Sequence, residues 1–371
     1  MRTFHRAHAW LISLCLFLTL GLSSCSFPGI VSTSEQLPEV KATTTPAQLP
    51  PIHFPQDEGG HGNLTEWWYY TGHLDAVDAT GKTAHYGFEF VIFQALRGDL
   101  PPYYASHFAI SDLNRNEFHY DQRRIAALSK ALPDGRSVNG IDEQVGDWQI
   151  HGLNGQDQLK ATMQDYAINL TLTGQKPVVQ HNGNGLITYG TGGFSYYYSR
   201  SRMAIAGTLQ DHQQTLQITG GIAWMDHQWG DFLATGIGGW DWYSLQLTNN
   251  VELMLYFIHD ATGKVISTYA EYIDPASQGI VLPEEALHST ALDHWTSPKT
   301  GITYPSGWRL ELNDSHVKGS LLIQPLLKDQ ELVALASTGN VYWEGAVDIQ
   351  GQLNAQAVSG QGYIELTGYS K

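Results

Sequence analysis

From His53 to the C-terminus, apolar and polar residues alternate with a period of two, in short runs broken by Asn, Asp and Gly. That period puts successive side chains on opposite faces of a strand, and the breaks supply tight turns. A chain patterned this way is suited to antiparallel sheet and poorly suited to long helices. The run from Asp241 to Thr248 and the run from Val251 to Phe257 flank Asn249-Asn250. They read as a hairpin on a two-residue turn, with Trp242 facing Phe257 and Leu245 facing Met254. Residues 159–163 follow an Asn154-Gly155 turn, and 167–173 follow Asp165. Residues 205–209 and 215–224 flank the polar turn Asp211-His212-Gln213-Gln214, and 345–351 and 360–369 alternate again. Short helices are predicted only over 123–132 and 283–288.

The composition agrees. With 42% hydrophobic and only 15% charged residues, the chain has material for a core and lacks the signature of disorder. At roughly 150 residues per domain, the body holds two closed barrels. The predicted division is 52–234 and 235–371, where Thr235-Gly-Ile-Gly-Gly239 interrupts the alternation. A faint echo supports duplication: Glu66-Trp67-Trp68-Tyr69 opens one β segment and Trp240-Asp241-Trp242-Tyr243 opens another.

The first 51 residues read differently. Arg2 and Arg6 precede an apolar run from Ala9 to Leu22, short for a membrane span and typical of a signal-peptide core. Leu22-Ser23-Ser24-Cys25 resembles the bacterial lipoprotein signal, which implies removal of residues 1–24 and lipidation of Cys25. Ser26 after the cysteine implies outer-membrane residence in a two-membrane bacterium. Residues 25–51, rich in Pro, Ser and Thr, read as a tether reaching about 80 Å when extended. The expected location is therefore outside the cytoplasm, anchored to a membrane through the lipid.

Several function classes are excluded or unsupported. The net charge of −16 and the absence of any Lys/Arg cluster argue against nucleic acid and against charge-driven adhesion to anionic lipid. Cys15 and Cys25 offer the body no disulfide framework. No His-Glu-x-x-His, Gly-x-Ser-x-Gly or phosphate-cradling glycine loop occurs, so neither a metal nor a cofactor is expected.

Chemistry concentrates in three clusters of rings and acids: His61 to Leu74, Ala223 to Phe232 and Gly239 to Leu247. A carboxylate walled by Trp and Tyr loses hydration, so its pKa rises and it can donate a proton near neutrality. Ring faces stabilise a neighbouring cation. Acid beside aromatic wall is what protonation of an isolated alkene needs. The competing reading is plain packing, since aromatics in sheets are mostly core or cross-strand pairs.

The motifs EWWYYTGHL, YGFEFVIFQ, ASHFAISD, DHQWGDF, GWDWYSLQL and GYIELTGY, in this order, resemble the AttH / carotenoid hydratase (hydroxyneurosporene synthase) family. The resemblance implies an all-β fold of two tandem lipocalin-like antiparallel β-barrels with a pocket near their junction. In the hydratase branch, catalysis goes with a His-x-Trp pair and a Tyr-x-Asp pair. His227-Gln228-Trp229 matches the first, while Tyr256-Phe257-Ile258 carries Ile258 where the second has its acid.

Three functional readings follow. In the first, an enzyme, a hydratase or a hydrolase, adds water to or otherwise works on an apolar isoprenoid or lipid-like substrate. Asp226 or Asp241 gives the proton and His227 handles water, while Trp229, Trp242 and Tyr256 shield positive charge. Glu66, Trp67, Trp68, Tyr69, His107, Trp224, Trp240 and Trp242 line the ligand. In the second, the same pocket carries a small apolar ligand without chemistry. In the third, the tethered body assists an envelope transporter.

Overall fold

The computed structural model describes residues 49–98, 100–126, 140–189, 193–232 and 238–370. The predicted signal peptide, Cys25 and nearly all of the tether lie outside the described residues, as does most of the predicted boundary segment. Among the described residues no helix is long and apolar enough to cross a membrane.

Two antiparallel sheets make up the body. The first contains β1 (Thr65–Val77), β2 (Thr83–Ala95), β3 (Tyr103–Asp112), β4 (Glu117–Ala126), β5 (Ile141–Val145), β6 (Trp148–Leu153), β7 (Gln156–Thr162), β8 (Tyr166–Gly174), β9 (Val179–Gln180), β10 (Leu186–Thr188), β11 (Gly193–Asp211) and β12 (Gln214–Phe232). The second contains β13 (Gly239–Leu247), β14 (Glu252–His259), β15 (Val265–Ile273), β16 (Gly279–Val281), β17 (Leu287–Thr296), β18 (Thr303–Asn313), β19 (Lys318–Pro325), β20 (Glu331–Ala334), β21 (Asn340–Leu353) and β22 (Gln356–Leu366). Their orders are β4-β3-β2-β1-β12-β11-β8-β7-β6-β5 and β16-β15-β14-β13-β22-β21-β19-β18-β17, with the short strands β9, β10 and β20 attached laterally. In the first sheet β5 packs back against β2, β3 and β4, which nearly closes it. The architecture is two tandem lipocalin-like barrels. The sequence echo has a topological counterpart: β1 and β13 each open a sheet and pair with its last strand, β12 and β22.

Period two sorts the side chains into three layers. Trp68, Tyr70, Phe90, Trp148 and Trp229 fill the first barrel, and Tyr243, Leu255, Trp308, Trp343 and Ile364 fill the second. The alternate residues Tyr69, Tyr197, Trp224, Trp242, Met254 and Tyr363 form a third cluster between the barrels. The barrels meet closely at Gly87, where an added Cβ would lie 2.5 Å from Tyr363 Oη and 2.8 Å from Ala346 Cβ.

Three local expectations need correction. The β13–β14 hairpin pairs Trp242 with Tyr256 and Leu245 with Leu253, one residue away from the expected register. Its loop contains Thr248, Asn249 and Asn250, because Thr248 N–H and Oγ1 bond Ser359 O and only Asn250 takes a positive φ of 65°. A two-residue turn of the mirror type needs positive φ at both central positions. The predicted helix over 123–132 is strand as far as Ala126, and 127–132 lie outside the described residues. There Arg123 pairs with Asp147, donates to Thr162 O and lies 4.6 Å over the Trp148 ring, tertiary contacts that override local propensity. The second predicted helix contracts to a single 3-10 turn, Glu284–Ala286.

Candidate functional site

Adjacent strand residues point to opposite faces, and this rule divides the sequence-predicted residues among three places. On β12, His227 and Trp229 enter the first barrel, while Trp224, Asp226 and Gln228 face the second. On β1, Glu66 and Trp68 point inward, and Trp67 and Tyr69 outward. On β13, Asp241 sits with Tyr243 on the inner side of the second barrel, while Trp240 and Trp242 face the first. Asp226, His227 and Asp241 are therefore all well shielded but occupy separate compartments. The expected partnership of Asp226 or Asp241 with His227 is not formed.

Inside the first barrel, Glu66 Oε1 accepts from His61 Nδ1 at 2.7 Å and His227 Nε2 at 2.8 Å. Its Oε2 accepts the His61 backbone N–H and Gln94 Nε2. Trp229 stacks on His61 at 4.1 Å and Trp68 on His227 at 4.9 Å. Burial pushes His61 down, but the charges of Glu66 and Asp57 outweigh it and raise its pKa to about 9. Burial dominates at His227 and lowers it to about 4. His61, Glu66 and His227 also have the residue types of a metal site. Their 2.7–2.8 Å spacing is that of direct hydrogen bonds, whereas ligands on a tetrahedral zinc stand roughly 3.3 Å apart. The outer ring nitrogens face Asp57 Oδ1 at 3.4 Å, from His61, and the Tyr198 hydroxyl at 3.2 Å, from His227, so the trio is held as a buried ionic clasp.

Asp241 accepts both its bonds from the Tyr369 hydroxyl, at 2.9 and 3.1 Å, with His259 Nε2 at 3.5 Å. His107 lies at the barrel junction, between Tyr342 Oη at 2.6 Å and Ser337 Oγ at 2.9 Å, and burial lowers its pKa to about 3. It is a neutral docking contact.

The layer between the barrels holds the remainder. The register aligns two rows that face each other. Across the first sheet runs His107, Val91, Tyr69, Asp226, Ser199. Across the second runs Tyr269, Tyr256, Trp242, Glu365, Glu344. The rows touch where Tyr69 donates to Glu344 Oε1 at 2.7 Å, and beside them Trp242 Nε1 donates to Tyr197 Oη, two residues before Ser199, at 3.0 Å. Tyr197 in turn donates to Asp226 Oδ2, and Ser199 and Trp224 donate to Oδ1. Tyr69 and Trp242 meet edge to face at 5.4 Å. Trp67, Phe93, Tyr189, Trp240, Tyr256 and Tyr269 pack against this layer and are only partly buried, so they form its accessible margin.

Carboxyls here are pushed toward the neutral form. Burial raises Asp226, against the His181 charge and its three donors. Burial raises Glu365 to about 7; the Trp240 N–H at 3.0 Å opposes the rise and the Asp226 charge adds to it. Burial followed by the Glu365 charge raises Glu89 and Glu344 as well, and Glu89 Oε2 and Glu344 Oε2 have no hydrogen-bond partner. Unlike Asp226, Glu365 retains some solvent contact.

The structure thus joins Tyr69, Trp224, Asp226, Trp240, Trp242 and Tyr256, with Trp67 at the margin. It adds Glu365, Tyr197 and Ser199, with His181 Nε2 at 2.6 Å from Ser199 Oγ and Glu271 Oε2 at 2.6 Å from His181 Nδ1, all of which local reading missed. Glu365 lies within GYIELTGY, two residues after Tyr363 and on the same face, but its partnership with Trp242 needs strands far apart in sequence.

The AttH-like family profile matches residues 45–369. The chain belongs to the AttH-like family. It is similar to the crystal structure of an AttH from Nitrosomonas europaea, with 28% identity and a TM-score of 0.75 over 88% of this chain and 99% of that one. Kievitone hydratase from Nectria haematococca shares the fold, with 18% identity and a TM-score of 0.65 over 93% of this AttH-like chain and 98% of its own. No curated protein matches the sequence.

Proposed function

We propose that the layer between the barrels binds an apolar isoprenoid or lipid-like molecule and adds water to one of its C=C bonds. The observation that carries this reading is the placement of two carboxyls with raised pKa, Glu365 and Asp226, against one wall of Trp and Tyr. Glu365, the less deeply buried residue of the two, supplies the proton. Trp240, Trp242 and Tyr256 offer ring faces to the cation, which indole and phenol stabilise. Water adds to the cation and gives its proton to the Asp226 carboxylate, which its raised pKa makes the stronger base, leaving an alcohol. Glu365 answers the departure at Ile258: Trp240 is the cross-strand neighbour of Ile258, and its indole holds the Glu365 carboxyl. The hydratase among the structural neighbours is consistent with this chemistry.

Incubation of the purified protein with an acyclic isoprenoid alkene in oxygen-18 water tests it. Mass spectrometry should show a labelled hydrate that disappears in Glu365→Gln. Undiminished turnover in both Glu365→Gln and Asp226→Asn would remove the acid–base assignment.

Ile258 at the margin favours a second reading, in which the same layer carries an apolar molecule without altering it. Tight binding with no hydrate would select that reading. In either case we propose that Cys25 is lipidated and holds the body outside the cytoplasm on a bacterial membrane, and that any envelope transporter is met from there. Labelling with a fatty-acid analogue should mark the wild type and spare Cys25→Ser.

A further inference from the structure

A second network leads away from the far side of Asp226. His181 is fully buried, with its ring 4.3 Å from that of Tyr197. Its Nε2 lies 2.6 Å from Ser199 Oγ and its Nδ1 2.6 Å from Glu271 Oε2. Ser199 Oγ also bonds Asp226 Oδ1. Four side chains therefore make one unbroken line from the first sheet to the second. Beyond them, Tyr269 Oη donates to Glu271 Oε2 at 2.8 Å and accepts the backbone N–H of Asn182 at 2.9 Å, and Asn182 is exposed.

The spacing is also that of a nucleophile, base and orienting acid. Ser199, however, has no exposed surface, and its oxygen is already committed to Asp226, so an acyl group has no approach.

Proton counting favours a different use. With Asp226 ionised, Ser199 donates to it, His181 Nε2–H donates to Ser199, and Nδ1–H donates to Glu271. With Asp226 protonated, its O–H donates to Ser199, Ser199 donates to His181 Nε2, and Nδ1–H still donates to Glu271. Both arrangements contain the same protons. One becomes the other when Asp226 Oδ1–H breaks as Ser199 Oγ–H forms, and the former Ser199 proton moves to Nε2. Hydroxyl and imidazole groups linked in this way pass protons without any heavy atom moving far.

We propose that Asp226, Ser199, His181 and Glu271 form a two-proton relay that carries the proton of Asp226 away from the layer of rings, with His181, held by Glu271, as the residue that stores it. The relay rests on the reading that Asp226 takes up a proton during turnover, and it deepens that reading by giving the proton a place to rest away from the apolar ligand. The geometry at the outer end agrees. Glu271 Oε1 is buried without a hydrogen-bond partner, and a Cβ built on Gly279 would stand 2.1 Å from it. Glycine there leaves the carboxylate free to face His181. Burial opposes ionisation of Glu271, and the His181 charge overrides it to hold the carboxyl below its ordinary value.

Nitrogen-15 NMR of the histidine rings in the full-length protein at neutral pH tests the coupling without a substrate. In Asp226→Asn, which removes the charge at the inner end, Nε2 should move to the unprotonated range while Nδ1 keeps its proton. In Gly279→Ala, displacement of Glu271 should abolish the far-downfield Nδ1 proton signal, with overall folding checked in the same spectra. An identical His181 state in the wild type and Asp226→Asn overturns the relay, as does an unchanged Nδ1 proton in Gly279→Ala. Hydration is read separately by the oxygen-18 assay, so failure of one is distinguishable from failure of the other.

Discussion

Glu365 should make the protein less stable as pH rises, and replacing it with glutamine should remove that dependence. The carboxyl moves from an ordinary value of 4.5 to about 7 on folding. Sign follows from linkage: the folded state holds the proton more tightly, so the contribution is fully present below pH 4.5 and is lost as pH rises through 7. Between pH 5 and pH 8, the two pKa values imply a loss of about 2 kcal/mol from this one group, after discounting for the partial exposure of the residue. Urea unfolding at both pH values, on the wild type and Glu365→Gln, measures the difference. The variant should be less sensitive to pH by that amount, and it should match or exceed the wild type at pH 8. Equal pH slopes in the two proteins would refute the claim that Glu365 is held near neutrality by its surroundings.

Other consequences are independent of this group. Lys176 Nζ meets Glu252 Oε2 at 2.6 Å, and both side chains are almost wholly buried where the barrels join. Lys176→Met should lower stability by about 3 kcal/mol in urea titrations, because it leaves a buried carboxylate with Arg202 alone. His61, raised to about 9, supplies stability that is complete below 6.5 and lost as pH rises through 9. Melting curves of His61→Gln should therefore lack the decline on the alkaline side. Gly87→Ala should destabilise by about 1–3 kcal/mol by forcing the barrels apart at Tyr363, which thermal unfolding would register.

The alternation from His53 onward was enough to give the strands and most turns, because period two is a local property. Asn154-Gly155 and His212-Gln213 turn the chain where their residue types say they should. The hairpin at Asn249-Asn250 slipped by one because Thr248 bonds Ser359, a residue on another strand. That slip matters for the site, since it places Tyr256 opposite Trp242. The DHQ segment announced chemistry but not its division: neighbouring Asp226 and His227 must part to opposite faces of β12. Glu365, His181 and Glu271 were not legible, because each joins the site through strand pairing or packing between distant segments. The acid absent at Ile258 was legible as a gap; its replacement from β22 was not.

The central claim is that ligand binds between the barrels beside Glu365 and Asp226. A crystal structure of the protein grown with farnesol tests it most directly. The isoprenoid chain should lie against Trp240, Trp242 and Tyr256, with its nearest C=C bond facing the Glu365 carboxyl. Density for the chain inside the first barrel beside His227, or in neither place at saturating farnesol, would contradict it.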